Sequence, residues 1–514
     1  MKPRERWLAV AGTLSLVVGG SLLRWGHIPT REVVLPEACA TPVRIVGMPD
    51  QQSDSAAVVF HGLGANAGIM DSIGQFIAVQ RVRAYLVDLP GHGNSRQDFS
   101  FSRAEECAVQ ILSTMQKLGE IRLEKTVLVG HSLGGALVIR LADHFPAAAT
   151  LAISPAPMYR IPAMPNGAVL MAPPRRMPVN LLVLLGQFDF PFSRQGAERL
   201  LAVAGGERDS PEDFRQRRAA HLEVVPLATH TTLIYSLEAQ HLVKRWLLLS
   251  LPGAVDKPAS DRLPNLWPGA LGIAGLMMLF PLFASWISGV SPTSVLGSVP
   301  PAVSLPGTVL RWLVAGMFAV SVLGFAVPLR LLRMYSGDYL ASCIMIAGVV
   351  LVTLMWGKRT KSAVTWRALA VGGVLGLATM LAFSAWMNLG LTDTWLNAPR
   401  WLRFPVLLVA CLPYALAEEW ALGAPPQKWP AGFSRYLRFV LLRLIIYASM
   451  VFALYAYASQ QILIAVLLMY MASFSILARL GTDAVRRRTG SAVGAALFAA
   501  ILMTWFVAAV FPIT

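Results

Sequence analysis

Residues 126–135 read TVLVGHSLGG, in which the β-rich run TVLV is followed by GHSLG and one further glycine. A helix-like segment, 135–145, comes next. A strand, a tight turn and a helix in this order are typical of a nucleophile elbow, in which small residues flank a serine so that its strained backbone can bend. The stretch therefore predicts that Ser132 is a nucleophile, rather than part of a purely structural glycine turn.

Two glycine-rich segments precede this stretch, and each follows an apolar run. Residues 58–64, VVFHGLG, predict a buried strand that ends in a loop, and such a loop can direct the Leu63 N–H at a substrate carbonyl oxygen. The Leu133 N–H would be the second donor, and two N–H groups of this kind form an oxyanion hole. Residues 88–95, DLPGHGNS, follow another β-rich run.

The three motifs together resemble the α/β-hydrolase superfamily, in the serine hydrolase branch that carries HG, D-x-x-G-x-G-x-S and G-x-S-x-G. The resemblance covers about residues 31–250 and implies an α/β domain with a mostly parallel sheet. Short β-rich runs that alternate with helix-like segments agree with that fold. The six runs are 56–60, 83–87, 126–129, 150–153, 181–185 and 222–226.

The resemblance also implies catalytic residues in the order Ser, acid, His at successive strand ends. Asp189 follows the fifth run and matches the acid. His230 follows the sixth run and matches the base, although Thr229 stands where the family often has glycine. A base is needed because a neutral serine hydroxyl is a weak nucleophile, and the acid orients the imidazole of the base. His221 and His241 are rival candidates for the base.

Three other histidines, His61, His92 and His131, flank the glycine loops, and we expect structural roles for them. Between residues 153 and 181 there is room for only a small cap, rich in proline and methionine. Beside a membrane, such an apolar cap would suit an acyl chain, although a packed loop is also consistent with its composition.

Composition divides the chain into two halves of different character. Of its 514 residues, 55% are hydrophobic and 14% are charged, whereas a soluble domain has about 25% charged residues. From Leu266 onward there are 17 Lys or Arg and 5 Asp or Glu, against 27 and 23 before it, so most of the net charge of +16 belongs to the apolar half. The cations form short clusters between apolar runs, which is typical of a membrane protein and argues against a nucleic-acid partner.

Beyond residue 268, eight apolar stretches are each long enough to cross about 30 Å of hydrocarbon. They are 269–290, 309–327, 339–356, 368–389, 404–422, 439–458, 462–478 and 491–510. With the apolar run 7–23, the sequence predicts about nine membrane helices. The predicted segments are a membrane anchor or uncleaved signal over 1–30, a hydrolase domain over 31–250, a linker over 251–268 and an all-α transmembrane domain of unrecognised family over 269–514.

Basic loops of membrane proteins lie on the cytoplasmic side. We therefore expect the N-terminus in the cytoplasm and the hydrolase domain on the outer face, which is periplasmic or extracellular. Cys39 and Cys107 would then both face an oxidising compartment, where a disulfide is possible. We expect them instead to be unpaired, because unpaired buried cysteines are commoner.

The pair Glu418-Glu419 stands near the inner end of a predicted membrane helix. It resembles the glutamate motif of the CAAX-type intramembrane proteases, but that chemistry needs histidine and all eight histidines lie before residue 242. An ion pair with Arg443, or exposure at the interface, is the favoured interpretation, since an unpaired carboxylate inside a membrane is costly.

These observations predict a membrane-anchored serine hydrolase, with no cofactor and no metal. It would cleave an ester, thioester or amide of a small-molecule or lipid acyl substrate through an acyl-enzyme. An acyltransferase uses the same acyl-enzyme and is one alternative. A transport or scaffold protein, whose hydrolase fold is a binding module, is another, because nine helices exceed what anchoring needs. The acyl group and the oligomeric state stay open.

Overall fold

The computed structural model describes residues 3–47, 54–156, 158, 171–257, 265–289, 304–325, 330–358, 364–426, 429–456 and 461–514. Most of the predicted cap between 153 and 181, and part of the predicted linker, lie outside these residues. The described chain forms two compact units. One comprises residues 17–272, 386–394 and 512–514, and the other comprises residues 1–16, 273–385 and 395–511.

The first unit is built on an eight-stranded sheet with the strand order β1-β2-β4-β3-β5-β6-β7-β8. Strands β1 and β2 pair antiparallel with each other, β2 pairs antiparallel with β4, and the other neighbours are parallel. The strands are β1 (Thr30–Leu35), β2 (Thr41–Val46), β3 (Ala56–Phe60), β4 (Arg83–Val87), β5 (Thr126–His131), β6 (Ala149–Ile153), β7 (Leu181–Phe188) and β8 (Ala220–Thr229). The mostly parallel sheet confirms the predicted fold class.

Helices alternate with these strands in the chain. They are α1 (Pro3–Arg24), α2 (Asp71–Val79), α3 (Phe101–Lys117), α4 (Leu133–Leu141), α5 (Pro191–Val203), α6 (Pro211–Arg215) and α7 (Leu237–Ser250). Strands β3, β5 and β6 are buried along their whole length, because they lie inside the sheet and α2, α4 and α7 pack against it. That burial explains their continuous apolar runs. The two antiparallel strands, β1 and β2, were not among the predicted runs.

The second unit is helical. Its helices are α8 (Leu266–Ser288), α9 (Leu305–Phe325), α10 (Gly337–Met355), α11 (Trp366–Met387), α12 (Ala398–Leu422), α13 (Trp429–Ala456), α14 (Ile462–Thr489) and α15 (Ala492–Val510), with the ends of α8 and α11 assigned to the first unit. Within the described residues, nine helices, counting α1, are long and apolar enough to cross a membrane. This agrees with the predicted number of apolar segments.

Charged side chains are paired inside the helical unit. Arg443 on α13 donates to both carboxylate oxygens of Glu418 on α12, through Nε at 2.8 Å and Nη2 at 3.0 Å. Glu419 lies 2.6 Å from Nη1 of Arg479, which also pairs with Asp483. The expected ion pair of Glu418 with Arg443 is therefore confirmed, and Glu419 has a different arginine.

Cys39 and Cys107 form a disulfide, with the two Cα atoms 5.7 Å apart. The expectation that they are unpaired is wrong. It rested on the frequency of buried free cysteines, whereas folding brings Cys39, which follows β1, beside Cys107 on α3. The other two cysteines, Cys343 and Cys411, are buried and free.

Candidate active site

The turn between β5 and α4 holds Ser132 in a strained conformation. Its φ of 53° and ψ of −112° lie outside the regions that residues with a Cβ atom favour. Backbone hydrogen bonds fix this turn, since Ser132 N donates to Ile153 O at 2.9 Å and Ser132 O accepts from Ala156 N at 2.8 Å. A Cβ on Gly134 would lie 2.2 Å from Phe60 O, so only glycine fits there. The predicted strand, tight turn and helix are therefore present around Ser132.

Asp189 and His230 lie at the ends of β7 and β8 and are hydrogen-bonded to each other. His230 Nδ1 is 2.8 Å from Asp189 Oδ1, which also accepts from Phe190 N, and Asp189 Oδ2 accepts from the Ser154 hydroxyl at 2.5 Å. Burial opposes ionisation of Asp189, but these hydrogen bonds outweigh it and hold its pKa below the ordinary value. An ionised carboxylate only accepts, so His230 Nδ1 carries the hydrogen.

The other ring nitrogen of His230, Nε2, is buried and has no hydrogen-bond partner in the described part of the chain. A hydrogen on Nδ1 leaves Nε2 as a free acceptor, which is the state that a general base requires. His131 Nε2 donates to the carbonyl oxygen of His230 at 2.8 Å. Because His131 directly precedes Ser132, this bond ties the loop of His230 to the serine turn.

The glycine loop after β3 lies against the same turn. Gly134 N donates to His61 O at 3.1 Å. A Cβ built on Gly62 would be 2.9 Å from the Cβ of Ser132, which shows how closely the two backbones approach. Leu63 follows Gly62, and Leu133 follows Ser132. The two predicted oxyanion donors thus belong to adjacent turns.

Two histidines bind this glycine loop to the loop after β4. His61 donates through Nδ1 to Gly62 O at 2.8 Å and accepts Leu89 N at Nε2. His92 accepts Gly64 N at Nε2 and donates to Pro90 O. Burial lowers the pKa of His61 to about 4. Burial, with the nearby His230, lowers the pKa of His131 to about 3. Both rings are therefore neutral near pH 7.

The rival bases lie apart from Asp189. His221 is at the start of β8, where its Nε2 is 3.2 Å from Glu223 and its ring stacks on Trp246. His241 is an exposed residue of α7. No group of three His, Cys, Asp or Glu that could hold a metal occurs within the described ranges.

Two supporting residues have roles that the sequence motifs did not indicate. Ser154 is the hydroxyl that fixes the second oxygen of Asp189. Asp88, the first residue of DLPGHGNS, is fully buried and accepts from Ala67 N at 2.7 Å and from Asn94 N at 2.8 Å. Asp88 lies at the end of a strand and begins a motif, and this position could have indicated a supporting role from the sequence.

Comparison with known proteins finds a family model and several relatives that match part of this chain. The family model described as "Serine aminopeptidase, S33" matches residues 51–208. A pimeloyl-[acyl-carrier protein] methyl ester esterase from Nitrosospira multiformis is 38% identical over 90 residues, which are 18% of this chain and 34% of that protein. Protein ABHD14A from Rattus norvegicus is 29% identical over 212 residues, which are 40% of this chain and 76% of that protein.

Among solved structures, an esterase from Pyrobaculum calidifontis is 15% identical, with 48% of this chain and 91% of that chain covered and a TM-score of 0.33. This chain spans about one third of the length of the methyl ester esterase that it matches. The sheet order, the glycine motifs and the family match over residues 51–208 show that this part of the chain has the α/β-hydrolase fold.

Proposed function

We propose that this protein is a membrane-anchored serine hydrolase that cleaves a carboxylic ester, with thioesters and amides as further substrates of the same chemistry. The hydrogen bond between Asp189 and His230 carries the proposal. It leaves the second ring nitrogen of a buried histidine free, on a loop that is bonded to the residue before a strained serine. An Asp–His pair with a purely structural role would not need to be linked to a turn that holds a strained serine.

The proposed reaction begins when the Ser132 hydroxyl oxygen attacks the substrate carbonyl carbon and its proton passes to His230 Nε2. The Leu63 and Leu133 N–H groups bind the resulting oxyanion. Collapse of the tetrahedral intermediate breaks the bond to the leaving alcohol, which takes the proton from His230. Water then attacks the acyl-enzyme with His230 again as base, which releases the acid and restores Ser132. Asp189 orients the imidazole and stabilises its protonated form.

The proposed location is a membrane, with the hydrolase domain on its outer face. Nine apolar helices within the described residues support the membrane assignment. The Cys39–Cys107 disulfide supports the outer face, because disulfides persist in oxidising compartments and are rare in the cytosol. The basic clusters 358–367, 428–438 and 486–488 would then lie on the cytoplasmic side. A reporter active only after export, fused after residue 257, would test this orientation.

The catalytic assignment is tested with the full chain in detergent. We expect wild type to hydrolyse a p-nitrophenyl ester and to react with a fluorophosphonate probe, and Ser132→Ala and His230→Gln to do neither. His221→Gln, which removes a rival base, should retain both activities. Turnover by Ser132→Ala at the wild-type rate would refute the proposal. A folded wild type that neither reacts with the probe nor hydrolyses the ester would favour a binding or transport role instead.

A further inference from the structure

The segment Trp386–Thr394 comprises the last two residues of α11 and the start of the connection to α12, yet it belongs to the compact unit that contains the sheet. We call it the docking segment. It is anchored to that unit at several points. Asn265 donates to Gly390 O at 2.5 Å, and the Tyr235 hydroxyl donates to Leu391 O at 3.4 Å. The segment is therefore part of the hydrolase unit rather than a solvent-exposed connection.

The C-terminal end of the docking segment contacts the glycine loop that carries Leu63. We call residues 61–70 the oxyanion loop. Within it, the Asn66 side chain donates to Asp393 O at 2.8 Å, and its oxygen accepts from Asp393 N at 3.1 Å and from the Thr392 hydroxyl at 3.2 Å. Asn66 is 5% exposed. Every one of these bonds would be lost if Asn66 were truncated.

An ion pair with Arg44 fixes the side chain of Asp393. Arg44 on β2 places Nη2 3.0 Å from each carboxylate oxygen of Asp393, and both side chains are mostly buried. Arg44 also contacts Glu32 at 2.8 Å. The approach is close, because a Cβ on Gly68 would lie 2.8 Å from the backbone nitrogen and from the carboxylate of Asp393. The docking segment is thus fixed to the sheet on one side and to the oxyanion loop on the other.

Two backbone N–H groups of the oxyanion loop bind it to the loop after β4. Gly64 N donates to His92, and Ala67 N donates to Asp88. Asn66, which lies between Gly64 and Ala67, makes the hydrogen bonds that join this loop to the docking segment. It stands three residues after Leu63, whose N–H must lie within about 3 Å of the developing oxyanion to be effective.

We propose that Asn66 and Asp393 are positioning residues, through which the docking segment holds the Leu63 N–H in line with Ser132. This inference rests on the proposed hydrolase function. Both residues would act through the Leu63 N–H and not on the substrate itself. Loosening the loop weakens a hydrogen bond that is strongest in the transition state, so kcat falls while KM changes little.

Asn66→Ala tests this in the full-length protein with the same p-nitrophenyl ester. Loss of one oxyanion donor lowers kcat by about 100- to 1,000-fold in other enzymes. A donor that is displaced rather than removed should lower it less, by about tenfold. Asn94→Ala is the matched control, since Asn94 is an exposed asparagine on the neighbouring loop. An unchanged kcat in Asn66→Ala, or a higher KM with unchanged kcat, would overturn the inference.

A double-mutant cycle keeps the test decisive if Asn66→Ala folds poorly. Arg44→Gln and Asp393→Asn each remove the ion pair and leave the Asn66 bonds possible. Because both act on the same anchor, the double variant should lose no more kcat than the larger single loss, whereas losses that multiply would contradict a shared role. Ser132→Ala separates the two proposals. If it is active the hydrolase function fails, and if it is inactive while Asn66→Ala matches Asn94→Ala only the positioning role fails.

Discussion

Acid should destabilise the hydrolase domain through two histidines that are buried as neutral rings. His61 has a pKa of about 4 and His131 one of about 3, against 6.5 in the unfolded chain. Protonation of His61 at Nε2 would place a hydrogen against the Leu89 N–H that this nitrogen accepts. Protonation of His131 at Nδ1 would bury a donor that has no partner in the described structure.

Proton linkage gives the sign and the size of this loss of stability in acid. A histidine whose pKa is lowered by folding contributes stability that is present above pH 6.5 and is lost as the pH falls toward its folded pKa. At pH 5 each histidine then costs about 2 kcal/mol relative to pH 7.5. Burial and the charge of Asp393 raise the pKa of Asp88 to about 6, so acid relieves about 1 kcal/mol there. A net loss of about 3 kcal/mol corresponds to a fall of about 6–12 °C in Tm for a domain of this size.

Thermal unfolding of the solubilised protein at pH 7.5 and pH 5 measures this loss. In the variant His61→Gln/His131→Gln, the amide can replace the bond made at each Nε2 but takes up no proton. We expect its Tm to change little between the two pH values, or to rise slightly. His144→Gln, at an exposed histidine, should keep the full wild-type difference. An equal fall of Tm in the double glutamine variant would refute the assignment to these two rings.

Two further predictions concern covalent and ionic links. Cys39→Ser/Cys107→Ser removes a cross-link between residues 68 positions apart, and this should lower the free energy of unfolding by about 4 kcal/mol. Dithiothreitol should lower the Tm of the wild type and leave that of the variant unchanged. An equal fall of Tm in the variant would contradict this prediction. Glu418→Ala leaves Arg443 buried without its partner and should cost about 3–5 kcal/mol, measured as thermal stability, whereas replacing both residues with leucine should cost much less. A double variant less stable than Glu418→Ala would contradict that reasoning.

The fold and the chemical groups were accessible from sequence because their signals are local. A strand followed by GHSLG predicts its own turn, and the turn at Ser132 has the strained geometry that the spacing required. Asp189 and His230 were predicted because each follows an apolar run and matches the residue order that the resemblance implies. Strand β8 extends three residues beyond its predicted end, since its last part pairs with the irregular end of β7. Strand β1 is mostly exposed, and Arg44 interrupts the apolar residues of the largely buried β2, so neither strand has a continuous apolar run.

The contacts between distant parts of the chain could not be predicted from local sequence patterns. Cys39 and Cys107 are 68 residues apart, and their pairing depends on where α3 packs relative to β1. Asp393 is 327 residues from Asn66 and lies in a short polar stretch between two apolar helices. Nothing in its local pattern distinguishes such a stretch from an ordinary connection. The same limit applies to Glu419, whose partner Arg479 lies on another helix.

Residues that perform chemistry and residues that position them leave different traces in a sequence. A nucleophile, a base and the carboxylate that orients the base must be particular residue types at particular strand ends, so the serine motif and the residue order of the resembled family were enough to predict Ser132, Asp189 and His230. A positioning group needs only a donor or acceptor at the right point, which many residue types from any part of the chain can supply. Asn66 and Asp393 meet that need through an amide and a backbone peptide group. Motifs therefore predict where the proposed reaction would take place, whereas the contacts of the oxyanion loop would determine how well its geometry is held.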